Sequence, residues 1–130
     1  MDKNNKKYSI LLVEDDKFLL DMYSTKFSEQ KFDVTPVFSA IEAISKLEEC
    51  MTFDLILTDI VMPKMDGFEF LKALNDKKLM GHSCAIVLSN LGQQEDLDKA
   101  KSLGAKGYII KATSTPSEVV KRVLEILDQK

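Results

Sequence analysis

Ionisable and polar side chains end several short apolar runs of this sequence. The run 10–13 is followed by Glu14, Asp15 and Asp16, the run 55–57 by Thr58 and Asp59, the run 85–88 by Ser89, and the run 108–110 by Lys111. Carboxylates brought together would repel one another, whereas a hard divalent cation such as Mg²⁺ would turn that repulsion into a binding site. Mg²⁺ also keeps coordination positions for phosphate oxygens. The pattern therefore predicts a metal-dependent phosphate site if these runs are neighbouring strands.

Asp59 is the predicted nucleophile of a phosphoryl transfer. Its carboxylate would attack phosphorus and form an acyl phosphate, while Mg²⁺ and the Lys111 ammonium would neutralise charge on the phosphoryl oxygens. The Ser89 hydroxyl could donate a hydrogen bond to one of those oxygens. Taken alone, each residue also fits a structural role: Asp59 and Ser89 in turns, and Lys111 as a solvated lysine.

The acidic run 14–16 has two alternative interpretations. Asp16 is predicted to cap the first helix rather than to bind metal, because its side chain can accept hydrogen bonds from the first turn. Glu14 and Asp15, considered without the other motifs, fit a helix start as well as a metal site.

The elements that would position these residues alternate between strand and helix. The runs 10–13, 55–57, 85–88 and 108–110 are apolar without alternation, which predicts central parallel strands covered on both faces. Pro36 places the segment 34–38 on an edge strand. The predicted fold class is α/β, a doubly wound five-stranded parallel sheet of order 2-1-3-4-5 in a flavodoxin-like three-layer sandwich. Ligands of such sheets bind beyond the carboxyl ends of the strands.

Five helices are predicted from their apolar spacing and their first residues. The apolar positions are Leu19, Met22, Tyr23 and Phe27; Ile41, Ile44 and Leu47; Phe68, Leu71 and Leu74; Leu97, Ala100 and Leu103; and six residues within 117–128. Capping-box spacing occurs in three pairs, Ser39 with Glu42, Asp66 with Glu69, and Thr115 with Glu118, and Pro116 suits a first helical position.

Size and composition bound the remaining possibilities. The 130 residues suit a single domain, and a net charge of −3 offers no bulk attraction to nucleic acid or anionic lipid. Cys50 and Cys84 lack metal-site spacing and are expected to be buried free thiols. The polar arm 1–7 precedes an apolar run too short for a signal peptide, which predicts a cytoplasmic protein. His82, the only histidine, is expected in a surface loop.

Four separated motifs resemble the receiver domains of response regulators in two-component, or phosphorelay, signalling. The resemblance extends from residue 10 to residue 127. It rests on the acidic run after 12–13, on the segment 57–67 that surrounds Asp59, on the segment 87–89, and on Gly104-Ala105 followed by residues 107–111. The resemblance implies a phosphoprotein that takes a phosphoryl group on Asp59 from a sensor histidine kinase or a phosphotransfer protein.

The family resemblance also implies a role for each site residue. Asp15 and Asp59 would bind Mg²⁺ directly, Glu14 through water, and Val61 through its backbone carbonyl. Ser89 and Tyr108 would be the switch residues, with the readout on the face of helix 4, strand 5 and helix 5. That face would bind a downstream protein. We expect no direct binding to nucleic acid or membrane, a monomer or weak dimer, and one receiver domain over 1–130 without an output domain.

The sequence departs from the family at three places. Ala112 follows Lys111 where proline is usual, which leaves either a strained cis bond or another loop path. Val61 and Leu91 replace polar residues that could orient an attacking water, so the chain is expected to catalyse its own phosphorylation but only slow dephosphorylation. Gly107 replaces an acid of dimerising regulators, which leaves dimerisation open.

Other functions on a similar sheet remain as alternatives. A pseudo-receiver would keep the fold as an interaction module without phosphorylation. A haloacid-dehalogenase-like phosphatase would need an acid where Val61 stands, and a flavodoxin would need a phosphate cradle where the acidic run 14–16 would repel the anion.

Overall fold

Runs of apolar residues form a parallel sheet in this protein. A computed structural model describes residues 8–129, so the predicted arm 1–7 lies outside the described residues. The strands are β1 (Ser9–Val13), β2 (Asp33–Val37), β3 (Leu55–Thr58), β4 (Cys84–Ser89) and β5 (Gly107–Ile110). Every strand pair is parallel and the order is β2-β1-β3-β4-β5. The predicted fold class and strand order are confirmed.

The sequence predicted one edge strand of the sheet correctly and the other wrongly. Pro36 lies in β2, which is an edge strand as predicted, because proline has no N–H to give to a second neighbour. The prediction that β5 is central is wrong: β5 forms the opposite edge, and within it only Ile109 is buried. A run of three apolar residues is too short to distinguish an edge strand from a central one.

Five helices cover the sheet, and four of them, all except α4, begin at the predicted caps. They are α1 (Lys17–Glu29), α2 (Ala40–Glu48), α3 (Gly67–Asp76), α4 (Gln94–Ser102) and α5 (Pro116–Leu127). The Asp16 side chain accepts a hydrogen bond from the Leu19 amide at 3.0 Å, which confirms it as the cap of α1. Full capping boxes are present at α3 and α5. At α2 the Glu42 carboxylate accepts from the Phe38 amide rather than from that of Ser39.

Two apolar layers form the core. One layer lies against α2, α3 and α4, and the other against α1 and α5. Successive residues of β1 alternate between the layers, so Leu11 belongs to the first and Leu12 to the second. Both faces of the central strands are therefore buried, which explains their continuous apolar sequence.

The helix α4 is held by few contacts. Ala100 is its one buried residue. The Lys99 ammonium lies 4.5 Å from the centroid of the Phe68 ring on α3, and the Asn75 amide donates to the Leu103 carbonyl at 2.8 Å. The helix α4 thus buries fewer residues than the other helices, and one cation–π contact and one hydrogen bond add to its attachment.

The cysteines and the bond after Lys111 were also subjects of the sequence predictions. Both cysteines are free, but Cys50 is exposed and Cys84 is half-buried, so the expected burial is wrong. Residues 8–129 contain no cis peptide bond, and Lys111 opens a 3₁₀ turn (Lys111–Thr113) instead. Across these residues no helix is both long and apolar enough to span a membrane.

Candidate phosphoacceptor site

Buried polar residues of the described chain all lie at the carboxyl edge of the sheet. They are Glu14, Thr58, Asp59 and Ser89, each at most 7% exposed. Glu14 follows β1, Thr58 and Asp59 end or follow β3, and Ser89 ends β4. Because the strands are parallel, their carboxyl ends meet at this edge. The structure therefore brings together the strand ends that the sequence singled out.

The Lys111 ammonium joins two of these strand ends. Its Nζ atom lies 2.6 Å from Glu14 Oε1 and 2.8 Å from Asp59 Oδ2. The side chains of all three residues are at most 10% exposed. Lys111 begins the 3₁₀ turn that follows β5, and its side chain reaches the two carboxylates without a cis peptide bond. The predicted cluster of Glu14, Asp59 and Lys111 is thus a buried, hydrogen-bonded group.

Burial and charge act in opposite directions on this cluster. Burial raises the pKa of Glu14, since removing water disfavours the carboxylate, although Lys111 and the Asp16 amide partly oppose that shift. Burial alone would lower the pKa of Lys111, but its hydrogen bonds to Asp59 and Glu14 outweigh this effect and raise it. The lysine therefore stays protonated between two carboxylates.

The carboxylates of Glu14, Asp15 and Asp59 form a group suited to a hard cation. One ligand oxygen from each lies within 4.8 Å of the others. Glu14 and Asp59 are buried, whereas Asp15 is exposed. Carboxylate oxygens are the donors that Mg²⁺ prefers. With one lysine against three carboxylates, the group retains excess negative charge, so the donor set fits a divalent cation.

The Asp59 carboxylate is also held by its own backbone. The Ile60 amide donates to Asp59 Oδ1 at 2.6 Å, and the Thr58 hydroxyl donates to the Asp59 carbonyl at 2.9 Å. Gly67 packs on the same peptide: a Cβ atom there would lie 2.7 Å from Ile60 Cα and would clash with the Asp59 carbonyl. Sequence reasoning missed these contacts, although a hydroxyl directly before Asp59 was a visible signal.

Backbone atoms of Leu91 contact both predicted switch residues. The Leu91 amide donates to Ser89 Oγ at 3.2 Å, and the Tyr108 hydroxyl donates to the Leu91 carbonyl at 2.6 Å. Tyr108 is half-buried, and burial raises its pKa. Ser89 accepts from the Leu91 amide, and its side chain also hydrogen-bonds to Tyr108, which acts against the effect of burial on the Tyr108 pKa. One residue of the loop between β4 and α4 thus connects the two side chains.

Exposed apolar side chains lie at the same edge of the sheet as this charged cluster. Of the five large hydrophobic residues that are exposed among residues 8–129, four lie at the carboxyl edge: Phe18, Phe38, Ile41 and Val61. We call these four residues the apolar rim. Phe18 is 76% exposed and Val61 is 63% exposed. This edge of the sheet therefore combines a buried charged cluster with exposed apolar side chains.

Other residues lie apart from the cluster. The side chain of Asp16 caps α1, and Met62 and Met65 pack against the core. Ile41, expected on the apolar face of its helix, is instead half exposed. His82 is exposed as predicted, but its Nε2 atom lies 3.3 Å from Asp54 Oδ1. Asp54 was not foreseen, because the two residues are distant in sequence.

The fold and the site define the class of the protein. It is a doubly wound α/β protein with a cluster of carboxylates and a lysine at the carboxyl edge of its sheet, where such proteins bind ligands. Within this class, residues 10–124 match the family described as the response regulator receiver domain. The chain therefore belongs to the receiver-domain family of the response regulators of two-component systems.

Curated relatives are longer than this chain. The probable transcriptional regulator ycf29 of Porphyra purpurea is 31% identical over 92% of this chain and 56% of its own length. The response regulator SaeR of Staphylococcus aureus (strain USA300) is 33% identical over 91% of this chain and 50% of its own length. The chain thus spans about half the length of the curated relatives it matches.

Solved receiver domains have the same architecture. The receiver domain of the Francisella response regulator 1452 is 29% identical, with a TM-score of 0.82 over 93% of this chain and 97% of that one. A CheY-like receiver domain protein from Methanospirillum hungatei JF-1 is also 29% identical, with a TM-score of 0.82 over 92% of this chain and 93% of that one. The family assignment therefore agrees in sequence and in fold.

Proposed function

We propose that the chain is a Mg²⁺-dependent phosphoacceptor switch that receives a phosphoryl group on Asp59 from a sensor histidine kinase or a phosphotransfer protein. One observation carries the proposal: the Lys111 ammonium is within hydrogen-bond distance of the buried carboxylates of both Glu14 and Asp59. An ordinary surface ion pair would not bury three ionisable groups at the ligand-binding edge of such a sheet.

In the proposed reaction an Asp59 carboxylate oxygen attacks the phosphorus of the donor. The new bond joins that oxygen to phosphorus, and the bond between phosphorus and the donor's nitrogen or oxygen breaks, with its electron pair leaving on the donor. Lys111 already touches Asp59 and would donate to a phosphoryl oxygen. The Ser89 hydroxyl would donate to another phosphoryl oxygen.

The metal would be held by the three carboxylates of the cluster and by one carbonyl. Asp15 and Asp59 would bind Mg²⁺ directly, Glu14 through water, and Val61 through its backbone carbonyl. When bound, Mg²⁺ supplies positive charge against the phosphoryl oxygens. The exposure of Asp15 favours a direct role for its carboxylate, while both oxygens of Glu14 already accept hydrogen bonds, from Lys111 and from the Asp16 amide.

The apolar rim supports a protein as the phosphoryl donor. Exposed apolar side chains around a charged pocket are typical of protein–protein contact surfaces. A small phosphate donor needs only the pocket, whereas a protein donor also covers its surroundings. Phe18 at the start of α1 and Val61 beside Asp59 provide such a surface.

The output would arise on the face made by α4, β5 and α5. Movement of Ser89 toward the phosphoryl group would break its bond with the Leu91 amide, and Tyr108 would respond because its hydroxyl is bound to the same residue. A downstream protein would recognise the altered face. We further propose a single receiver domain over 1–130, a cytoplasmic location, and a monomer or weak dimer.

The test is incubation with acetyl phosphate and MgCl₂ followed by intact mass spectrometry. We expect the wild type to gain one phosphoryl group and Asp59→Asn to gain none. Asp54→Asn is the matched control, because Asp54 lies at the other end of β3 and should leave the gain unchanged. If neither the wild type nor Asp54→Asn gains mass, the chain is a pseudo-receiver and the proposal is wrong.

The lifetime of the phosphorylated form is a separate part of the proposal. The side chains of Val61 and Leu91 carry no group that can orient an attacking water, so the phosphoryl group should be lost slowly. Val61→Asn should shorten the lifetime several-fold, measured by the decay of phosphorylated mass after the donor is removed. A wild-type lifetime of seconds or less would contradict this expectation.

A further inference from the structure

The peptide that joins Asp59 to Ile60 is fixed at both of its polar ends. Its carbonyl accepts a hydrogen bond from Thr58 Oγ1 at 2.9 Å, and its N–H donates to Asp59 Oδ1 at 2.6 Å. Thr58 is fully buried, so water does not compete for its hydroxyl. Turning this peptide would break both bonds at once.

The opposite side of the same peptide is closed by α3. Gly67 lies so near that a Cβ atom would clash with the Asp59 carbonyl, and the Gly67 amide donates to the Ile60 carbonyl at 2.8 Å. The peptide is therefore confined between the Thr58 hydroxyl and the backbone of Gly67. Rotation of the peptide would need movement of a strand end or of a helix start.

This confinement reaches the reacting carboxylate through the Ile60 amide. Asp59 Oδ1 is bound by that amide, while Oδ2 faces the Lys111 ammonium. The two oxygens thus have different partners, and the plane of the carboxylate is set by both. A nucleophile held in one orientation reacts faster than one that samples several.

We propose that Thr58 is a positioning residue for the phosphoacceptor, which acts by orienting the Asp59–Ile60 peptide so that the Ile60 amide holds one oxygen of the Asp59 carboxylate. The inference rests on the proposed function of Asp59. In this role Thr58 contacts neither the phosphoryl donor nor the carboxylate oxygens of Asp59. It acts through the Asp59–Ile60 peptide.

The test compares three variants of the full chain. Thr58→Val removes the hydroxyl and keeps the shape, Thr58→Ser keeps the hydroxyl, and Thr35→Val makes the same chemical change at a half-buried position in β2. The first measurement is the ¹H chemical shift of the Ile60 amide in metal-free buffer, which needs no donor. The second is the phosphorylation rate with acetyl phosphate and MgCl₂.

Thr58→Val should move the Ile60 amide upfield and slow phosphorylation by roughly tenfold, the effect of losing one ordering hydrogen bond. Thr58→Ser should restore both values, and Thr35→Val should leave both unchanged. Thermal unfolding of each variant shows whether the substitution causes a general loss of structure. Such a loss would lower the unfolding temperature, whereas a pure positioning effect would leave it unchanged.

Two results would overturn the inference in distinguishable ways. If the wild type is phosphorylated and Thr58→Val matches it in amide shift and rate, or if Thr58→Ser fails to rescue, Thr58 does not position the carboxylate. If the wild type takes no phosphoryl group, the proposed function is wrong and the role of Thr58 is lost with it.

Discussion

The strand β3 has an aspartate beside each of its ends, and the two aspartates have opposite surroundings. Asp59 at the carboxyl end pairs with Lys111, and their side chains are 9% and 10% exposed. Asp54 at the amino end pairs with His82, and their side chains are 38% and 65% exposed. Asp54 also accepts hydrogen bonds from the Ser9 amide and hydroxyl.

The difference in burial separates an ordinary surface ion pair, formed by Asp54 and His82, from a buried ion pair at the candidate site, formed by Asp59 and Lys111. At the amino end, solvent and the start of β1 satisfy Asp54, so little electrostatic energy depends on His82. At the carboxyl end, one ammonium lies between two buried carboxylates, with Asp15 nearby. Removing the ammonium from such a group would leave buried carboxylates uncompensated. The excess negative charge that the group keeps fits a second, divalent cation. The two aspartates thus differ in their electrostatic surroundings because their burial and their partners differ.

Removing the buried cation should have the largest effect. Lys111→Met leaves Glu14 and Asp59 without their shared partner, so we expect the free energy of unfolding in metal-free buffer to fall by about 3 kcal/mol. Phosphorylation by acetyl phosphate should slow at least about a hundredfold, since a charge that stabilises the transferring group is lost. Urea denaturation and a mass-spectrometric time course measure the two effects.

The control for this change is Lys106→Met, because Lys106 is an exposed lysine just before β5. It should leave stability and phosphorylation near their wild-type values. A Lys111→Met protein as stable and as reactive as the wild type would remove the distinction between the two ends.

Filling the space at Gly67 should have the next largest effect. Gly67→Ala forces α3 away from the peptide after Asp59, so we expect a loss of about 2 kcal/mol in unfolding free energy and slower phosphorylation. In Gly92→Ala the new methyl group meets only the flexible end of Ile110, and a change within about 0.5 kcal/mol is expected. Equal losses in the two variants would show that Gly67 has no special place in the site.

Mg²⁺ should increase the free energy of unfolding through the carboxylates at the carboxyl end of β3. At a Mg²⁺ concentration tenfold above its Kd, the wild type should gain about 1.4 kcal/mol of stability by linkage. Asp15→Asn should reduce this gain because a metal ligand is lost. Asp16→Asn is the matched control, since asparagine also caps a helix and Asp16 is not a proposed ligand. Identical behaviour of the two variants in urea denaturation would contradict the ligand assignment.

Breaking the pair at the amino end should have the smallest effect. His82→Gln should change the free energy of unfolding by no more than about 0.5 kcal/mol, because both partners are exposed. Phosphorylation by acetyl phosphate should be unchanged. A loss comparable with that of Lys111→Met in the same assays would mean that both ends contain a functional pair.

The sequence predicts the sheet and the charged cluster because both depend on local patterns. Continuous apolar runs mark buried parallel strands, and a parallel sheet brings their last residues to one edge. Glu14, Asp59 and Lys111 could therefore be placed together before any coordinates. The trans path after Lys111 could not, because the geometry of a loop depends on what it packs against.

The remaining features depend on contacts between segments. Gly67 fits helix-start chemistry in sequence, yet its missing side chain is required by Ile60 across a loop. The exposure of Phe18 and Ile41 could not be inferred from helical spacing, because that spacing does not show where a helix extends beyond the sheet. The pair formed by Asp54 and His82 joins residues that no local pattern connects.

The sparse anchoring of α4 has a consequence for dynamics. A helix with one buried residue, fixed to its neighbour by a lysine over an aromatic ring, should open at lower free energy than the rest of the domain. Its amide protons should then exchange with solvent ahead of those of α5, which buries four residues. If α4 opens as expected, a small free-energy bias would be enough for this receiver domain to present a different surface.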